Sequence, residues 1–261
     1  MDLIYRQNTM PAIRISEQSS AAVEIASIKG SSPSTESSIT FGLEDKDLEQ
    51  GYPGNFKVSV TYTLTDENEL FLNYEGECDQ DTVANMTNHV YFNLAGHDSG
   101  SILDQELWLS AKAYTPVRDV QSIPTGEIAP VEGTPFDFTT AKPIGQDIDA
   151  EFDQLQFTGG YDHNFVLKED KGAVLKFAEA YSAKTGICME AYTDLPGVQF
   201  YAGNFIDHLP GKDGVVYEKR QGFCLETQYF PNSINQEGFP TPLLKAGEKY
   251  ETTTCYKFSV R

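Results

Sequence analysis

The sequence predicts an all-β protein, a large antiparallel sandwich in one domain. Three observations carry this. From Phe56 to Leu64, Phe56, Val58, Val60, Tyr62 and Leu64 alternate with Lys57, Ser59, Thr61 and Thr63, the period-two pattern of a strand with one buried and one wet face. Short apolar runs recur along the chain, separated by clusters of Gly, Pro, Asn and Asp that favour turns. The length of 261 residues suffices for one large core, and all-β sandwiches of this size commonly remain one domain.

Taken in order, residues 1–50 form an atypical N-terminal segment, partly irregular: Ser31 to Ser38 is polar and of low complexity, and only residues 21–28 carry a modest strand signal. The sandwich domain is expected over 51–261. Its first hairpin joins 56–64 to 69–74, where Leu70, Leu72 and Tyr74 continue the alternation across the polar turn Thr65-Asp66-Glu67-Asn68. Further strands are expected at 103–109, 164–167, 174–181, 186–193, 198–203, 222–228 and 252–260. Residues 173–181 are alanine-bearing, yet Ala183-Lys184-Thr185-Gly186 and a second β-like run follow, so a hairpin fits both halves better than a helix. The stretch 114–153 is rich in Pro, Gly and Asp; a loop of that length is either functional or packed across a sheet. No repeat at a fixed period suggests a propeller or solenoid.

Charge narrows the functional classes. With 19 basic against 39 acidic residues the net charge is −20, which repels nucleic acid and anionic membranes and favours a small neutral ligand. No run of 18 apolar residues exists, and Met1-Asp2-Leu3-Ile4-Tyr5-Arg6 lacks the layout of a secretory signal, so a cytoplasmic protein is expected. Cys78, Cys188, Cys224 and Cys255 are too dispersed for a zinc site or a disulfide framework and read as reduced, mostly buried thiols. The sequon Asn85-Met86-Thr87 sits in an apolar, strand-like region and is read as chance.

Glu226 is the only carboxylate in Gly222-Phe223-Cys224-Leu225-Glu226-Thr227-Gln228-Tyr229-Phe230, where an ionised side chain is costly unless paired or used. Partial burial would raise its pKa toward the range of a general base. Strand alternation puts Cys224, Glu226 and Gln228 on one face, with Phe223, Leu225 and Thr227 on the other. A proton-transfer partner is offered by His89 in the aromatic and amide-rich run Thr87-Asn88-His89-Val90-Tyr91-Phe92-Asn93-Leu94, although a buried histidine satisfied within a core strand would look the same. Asp162 and His163 lie in the polar cluster 161–165, where turn and cap chemistry is the competing explanation. His97 and His208 read as surface residues, and no two histidines have metal-ligand spacing, so no metal is expected. Tyr91, Phe92, Phe157, Tyr161, Phe200, Tyr201, Phe205 and Tyr229 could supply apolar faces for a sugar, though most aromatics of a β protein are core.

The ordered blocks 87–96, Gly133-Thr134-Pro135-Phe136-Asp137-Phe138, Tyr161-Asp162-His163-Asn164-Phe165, 196–205 and Leu225-Glu226-Thr227-Gln228 with Phe230-Pro231-Asn232-Ser233-Ile234-Asn235 resemble the aldose 1-epimerase (galactose mutarotase) family. The resemblance covers about four fifths of the chain, roughly 51–260, in the family's order. It implies a β-supersandwich that interconverts the α and β anomers of free hexoses such as galactose and glucose, with neither cofactor nor metal. By motif position Glu226 resembles the general base and His89 the general acid. Asp162 resembles a ligand of the sugar hydroxyls, assisted by Gln228, with Asn88 and Tyr91 beside them. A monomer or weak homodimer is expected.

Family members also carry an Asn-Arg and a His-Gly-Gly segment upstream; here Arg6 and Arg14 lack that context and no histidine precedes His89. The expectation is therefore an N-terminally truncated version of the fold. The alternative function is a catalytically impaired sugar-binding or regulatory remnant. A hexose-phosphate epimerase ranks last, because no Arg or Lys cluster lies near the motifs.

Overall fold

The computed structural model describes residues 37–49, 51–167 and 172–261. Two antiparallel sheets dominate. The larger has eight strands in the order Ser38–Asp45, Phe56–Leu64, Glu69–Cys78, Lys249–Val260, Ile187–Thr193, Leu175–Tyr181, Glu106–Leu109 and Lys142–Pro143. The smaller has five, in the order Cys224–Gln228, Gly197–Tyr201, Asp162–Val166, Ala113–Tyr114 and Ala129–Pro130. The described residues are thus all-β, with one short α-helix at Asp153–Thr158.

Period two sets the large sheet. In the Phe56–Leu64 strand Val58 and Val60 are buried, opposite Gly76 and Tyr74 of the next strand. The missing side chain of Gly76 makes room for Phe56, whose ring lies 2.8 Å from where a Cβ would be. The turn between these strands is residues 65–68, with Asn68 at φ 60° closing it through an N–H bond to the Thr65 carbonyl at 3.2 Å. The second hairpin pairs Leu175–Tyr181 with Ile187–Thr193, so the alanine-bearing run is a strand. Its local helix propensity yields to pairing on both edges.

Several details depart from expectation. Ser38–Asp45 pairs along its length with Phe56–Leu64, a strand that the polar sequence around it does not announce. The strand signal at 21–28 lies outside the described residues. The surroundings of Asn85 and His89, strand-like in composition, have no ladder of their own. His163, read as loop-edge chemistry, is fully buried within the Asp162–Val166 strand, against Phe136 at a ring spacing of 4.7 Å. Burial there pushes its pKa down to about 3.

The long stretch 114–153 packs rather than projects. Phe136, Phe138, Ile144 and Ile148 from it are buried, and Tyr114 stacks on Phe136 at 4.6 Å. With Tyr161, Phe165, Phe200 and Phe223 these rings form an aromatic core behind the five-stranded sheet. Such ring pairs contribute roughly 0.5–1.5 kcal/mol each beyond area burial.

The sheets are fastened where Cys224–Gln228 faces Lys249–Val260. Tyr256 Oη donates to the Leu225 carbonyl at 2.8 Å, and the hydroxyls of Thr227 and Thr254 lie 2.5 Å apart. The odd-numbered residues of the Cys224–Gln228 strand thereby face the core, and its even-numbered residues face outward.

Candidate active site

The Cys224–Gln228 strand is an edge of the five-stranded sheet, and the segment 85–92 runs beside it. Two anchors fix this segment. At one end Asn85 Nδ2 donates to the Tyr229 carbonyl at 3.0 Å while the Tyr229 N–H donates to Asn85 Oδ1 at 2.8 Å. At the other, Phe92 and Phe223 exchange backbone hydrogen bonds of 2.8 and 3.0 Å. Asn85, the sequon residue, is therefore occupied in holding the segment. Between the anchors His89 reaches the outward face of the strand, with Nε2 3.5 Å from Glu226 Oε1 and Nδ1 3.3 Å from Cys224 Sγ.

Register assembles the rest. Across the sheet Glu226 pairs with Gln199 and Gln199 with Asn164; Cys224 pairs with Tyr201 and Tyr201 with Asp162. Residues paired in register share a face, so seven polar or sulfur-bearing side chains converge once Gln228 is added. Gln199 Nε2 donates to Asp162 Oδ1 at 2.7 Å, and Gln228 Nε2 lies 3.4 Å from both Asn164 Oδ1 and Gln199 Oε1. Gln228 is opposite Gly197, where a Cβ would stand 2.5 Å from Asn164 Oδ1 and 2.8 Å from the Phe230 ring. The carboxamides can meet because that side chain is missing.

The electrostatics are those of a poised pair. Burial, and then the negative charge of Asp162, hold the Glu226 carboxyl well above its ordinary pKa. Burial likewise pushes Asp162 up to about 6, against the stabilising bond from Gln199. Among the described residues neither carboxylate has a Lys or Arg ion-pair partner; Glu226 pairs only with His89. The side chains of His89 and Glu226 keep 25% and 12% of their accessible surface, so a ligand can touch both. Tyr91 is exposed, its ring 5.1 Å from His89, and Tyr201 meets both rings edge-on.

Of the residues singled out from the sequence, His89, Glu226, Asp162, Gln228 and Tyr91 come together on or above this face. Asn88 does not. It is 1% exposed, and its Oδ1 accepts a bond of 2.9 Å from Tyr256 Oη, so its carboxamide is enclosed in the core and braces the backbone beneath His89. Sequence reasoning missed Gln199 and Asn164, and left Cys224 as an ordinary buried thiol. Gln199 and Asn164 stand beside Glu226 only through a register that no single strand encodes.

His89, Cys224 and Glu226 offer ligand atoms within 4.8 Å of one another. The thiol and the carboxylate meet different nitrogens of one imidazole, however, so as placed they do not converge on one cation.

The profile of the family described as aldose 1-epimerase matches residues 27–257. The galactose mutarotase of Rattus norvegicus is 50% identical over 224 residues, covering 85% of this chain and 63% of that protein. The aldose 1-epimerase of Escherichia coli is 38% identical over 222 residues, with 84% and 63% covered. The crystal structure of galactose 1-epimerase from Lactobacillus acidophilus matches with a TM-score of 0.73 at 30% identity, over 88% of this chain and 65% of that one. The aldose epimerase homologue of C. elegans matches with a TM-score of 0.75 at 28% identity, with 87% and 67% covered. The chain thus spans somewhat less than two thirds of the curated relatives it matches, and across that span it belongs to the aldose 1-epimerase family.

Proposed function

We propose that the protein is an aldose 1-epimerase that interconverts the anomers of free hexoses, galactose or glucose, by general acid and base catalysis. The observation that carries this is the His89 to Glu226 contact of 3.5 Å, in which a buried carboxyl with no Lys or Arg partner among the described residues meets an imidazole at an accessible face.

Glu226 removes the proton from the C1 hydroxyl while His89 protonates the ring oxygen through Nε2. The C1–O5 bond breaks to give the open aldehyde, rotation about C1–C2 exchanges the carbonyl faces, and closure runs with the roles reversed. The elevated pKa of Glu226 suits this, since an ordinary carboxylate is too weak a base to take a hydroxyl proton efficiently. Asp162, oriented by Gln199, and Gln228 pair with sugar hydroxyls, and Tyr91 and Tyr201 offer apolar edges to the ring. Asn88 acts from below, through the backbone. The names of the relatives support the same reaction on galactose.

Decay of optical rotation in freshly dissolved α-D-galactose tests it: the protein should accelerate decay over buffer, and Glu226→Ala should slow it by at least ~10²-fold, the usual size of an acid or base contribution. A folded sample that leaves the rate at that of buffer overturns the reading. Saturable galactose binding without anomer exchange by NMR would instead assign a sugar-binding role.

A further inference from the structure

We propose that Cys224 is a positioning residue for His89: its sulfur accepts the Nδ1–H of the imidazole and so reserves Nε2, the nitrogen facing Glu226, for the proton that moves. The inference rests on the acid and base assignment above.

Cys224 and Glu226 are two residues apart on one strand face, and they grip opposite nitrogens of a single ring, at 3.3 Å from Sγ to Nδ1 and 3.5 Å from Oε1 to Nε2. In ring opening His89 passes from imidazolium to neutral imidazole as Nε2 gives its proton to the ring oxygen and Glu226 takes the proton of the C1 hydroxyl; in closure both protons return. The neutral form must then leave Nε2 bare, so that the proton can return. Nδ1 therefore carries hydrogen in both charge states, and what it needs opposite is an acceptor in both.

A neutral thiol is a weak acceptor, and the surroundings keep this thiol neutral. Cys224 is fully buried, and burial together with the charges of Glu226 and Asp162 holds its pKa well above the ordinary value. Weakness is useful here. A carboxylate at this position would stabilise the imidazolium and make it a poorer acid, whereas sulfur holds the ring plane with little preference between its charge states. Glu226 addresses Nε2, and Tyr91 and Tyr201 meet the imidazole as ring contacts at 5.1 and 6.0 Å.

The test is the tautomer of neutral His89, read from long-range ¹H–¹⁵N spectra of the full chain and assigned by its loss in His89→Asn. Wild-type protein should show the Nδ1–H form, and Cys224→Ala a mixture. In the rotation assay Cys224→Ala should lower kcat about tenfold, the scale of one lost hydrogen bond, with KM within about twofold. Cys224→Ser, which keeps an acceptor, should recover most of the loss. An Nε2–H tautomer in the wild type overturns the proposal, as does a Cys224→Ala protein whose tautomer and kcat are unchanged. The spectrum needs no turnover, so absence of anomerisation in the wild type would sink the proposed function while the tautomer still decides the role of Cys224.

Discussion

Glu190 and Glu226 are glutamates on antiparallel strands of the two sheets, and their surroundings drive them in opposite directions. Glu190 lies in a wet network where Lys176 contacts it and also Glu179 at 2.6 Å, while Arg261 reaches Glu179 at 2.5 Å. The bond from Lys176 pulls the Glu190 pKa below its ordinary value. Glu226 is given burial, a second carboxylate and an imidazole, and its pKa rises. The comparison teaches that strand neighbours, rather than residue type, decide whether a carboxylate is spent on structure or kept reactive. The network around Glu190 pairs its carboxylates with Lys176 and Arg261, whereas the face around Glu226 holds two carboxylates with no Lys or Arg partner among the described residues.

The sharpest way to break the contrast is Glu226→Gln. Anomerisation should fall by ~10²–10⁴-fold, yet thermal stability at neutral pH should hold or rise, because a carboxyl in a place that disfavours its charge has been neutralised. A marked loss of melting temperature would show that Glu226 is structural after all.

Asp162 gives the pH counterpart. Its folded pKa of about 6 lies above the ordinary 3.8, so the folded state favours the protonated form. The stability it contributes is present in acid and is lost as pH rises through about 6, by about 3 kcal/mol at most. Relative to wild type, Asp162→Asn should therefore gain stability between pH 4 and pH 7, as read from urea titrations. Parallel curves would contradict the assigned burial.

Tyr256→Phe tests the brace between sheets. It removes the one hydroxyl proton that Asn88 Oδ1 and the Leu225 carbonyl share, a cost of about 1–3 kcal/mol in melting experiments. Because Asn88 adjoins His89, kcat should drop more than KM changes.

The smallest effect is expected in the saturated network. Lys176→Met should cost no more than about 1 kcal/mol, less at high salt, and leave anomerisation unchanged. A large activity loss there would mean that the two sheets are electrostatically coupled.

Much of this arrangement was legible from single strands. Phe56–Leu64 has the bounds its alternation predicts, and the outward triplet Cys224, Glu226 and Gln228 follows from period two alone. What was not legible depends on pairing. Gln199 and Asn164 join the face through register, and Asn88 is turned inward by Tyr256, 168 positions away. The run 84–92 has strand-like composition, but it is tied by side chains, one backbone bond from Ala84 and a single bridge at Phe92 instead of a ladder. His163 misled because its polar neighbours suggest a surface turn, whereas the rings that enclose it come from residues 114 and 136.

Gly197 carries a further consequence. Every other amino acid adds a Cβ where the Asn164 carboxamide and the Phe230 ring already stand, so a replacement there forces those side chains to shift. The position thus ties the packing of the Phe230 ring to the placement of the carboxamides that face the ligand. A side chain added in the floor would be felt at the carboxamides of Asn164 and Gln228, whereas a change at exposed Tyr91 on the rim leaves that floor as it stands.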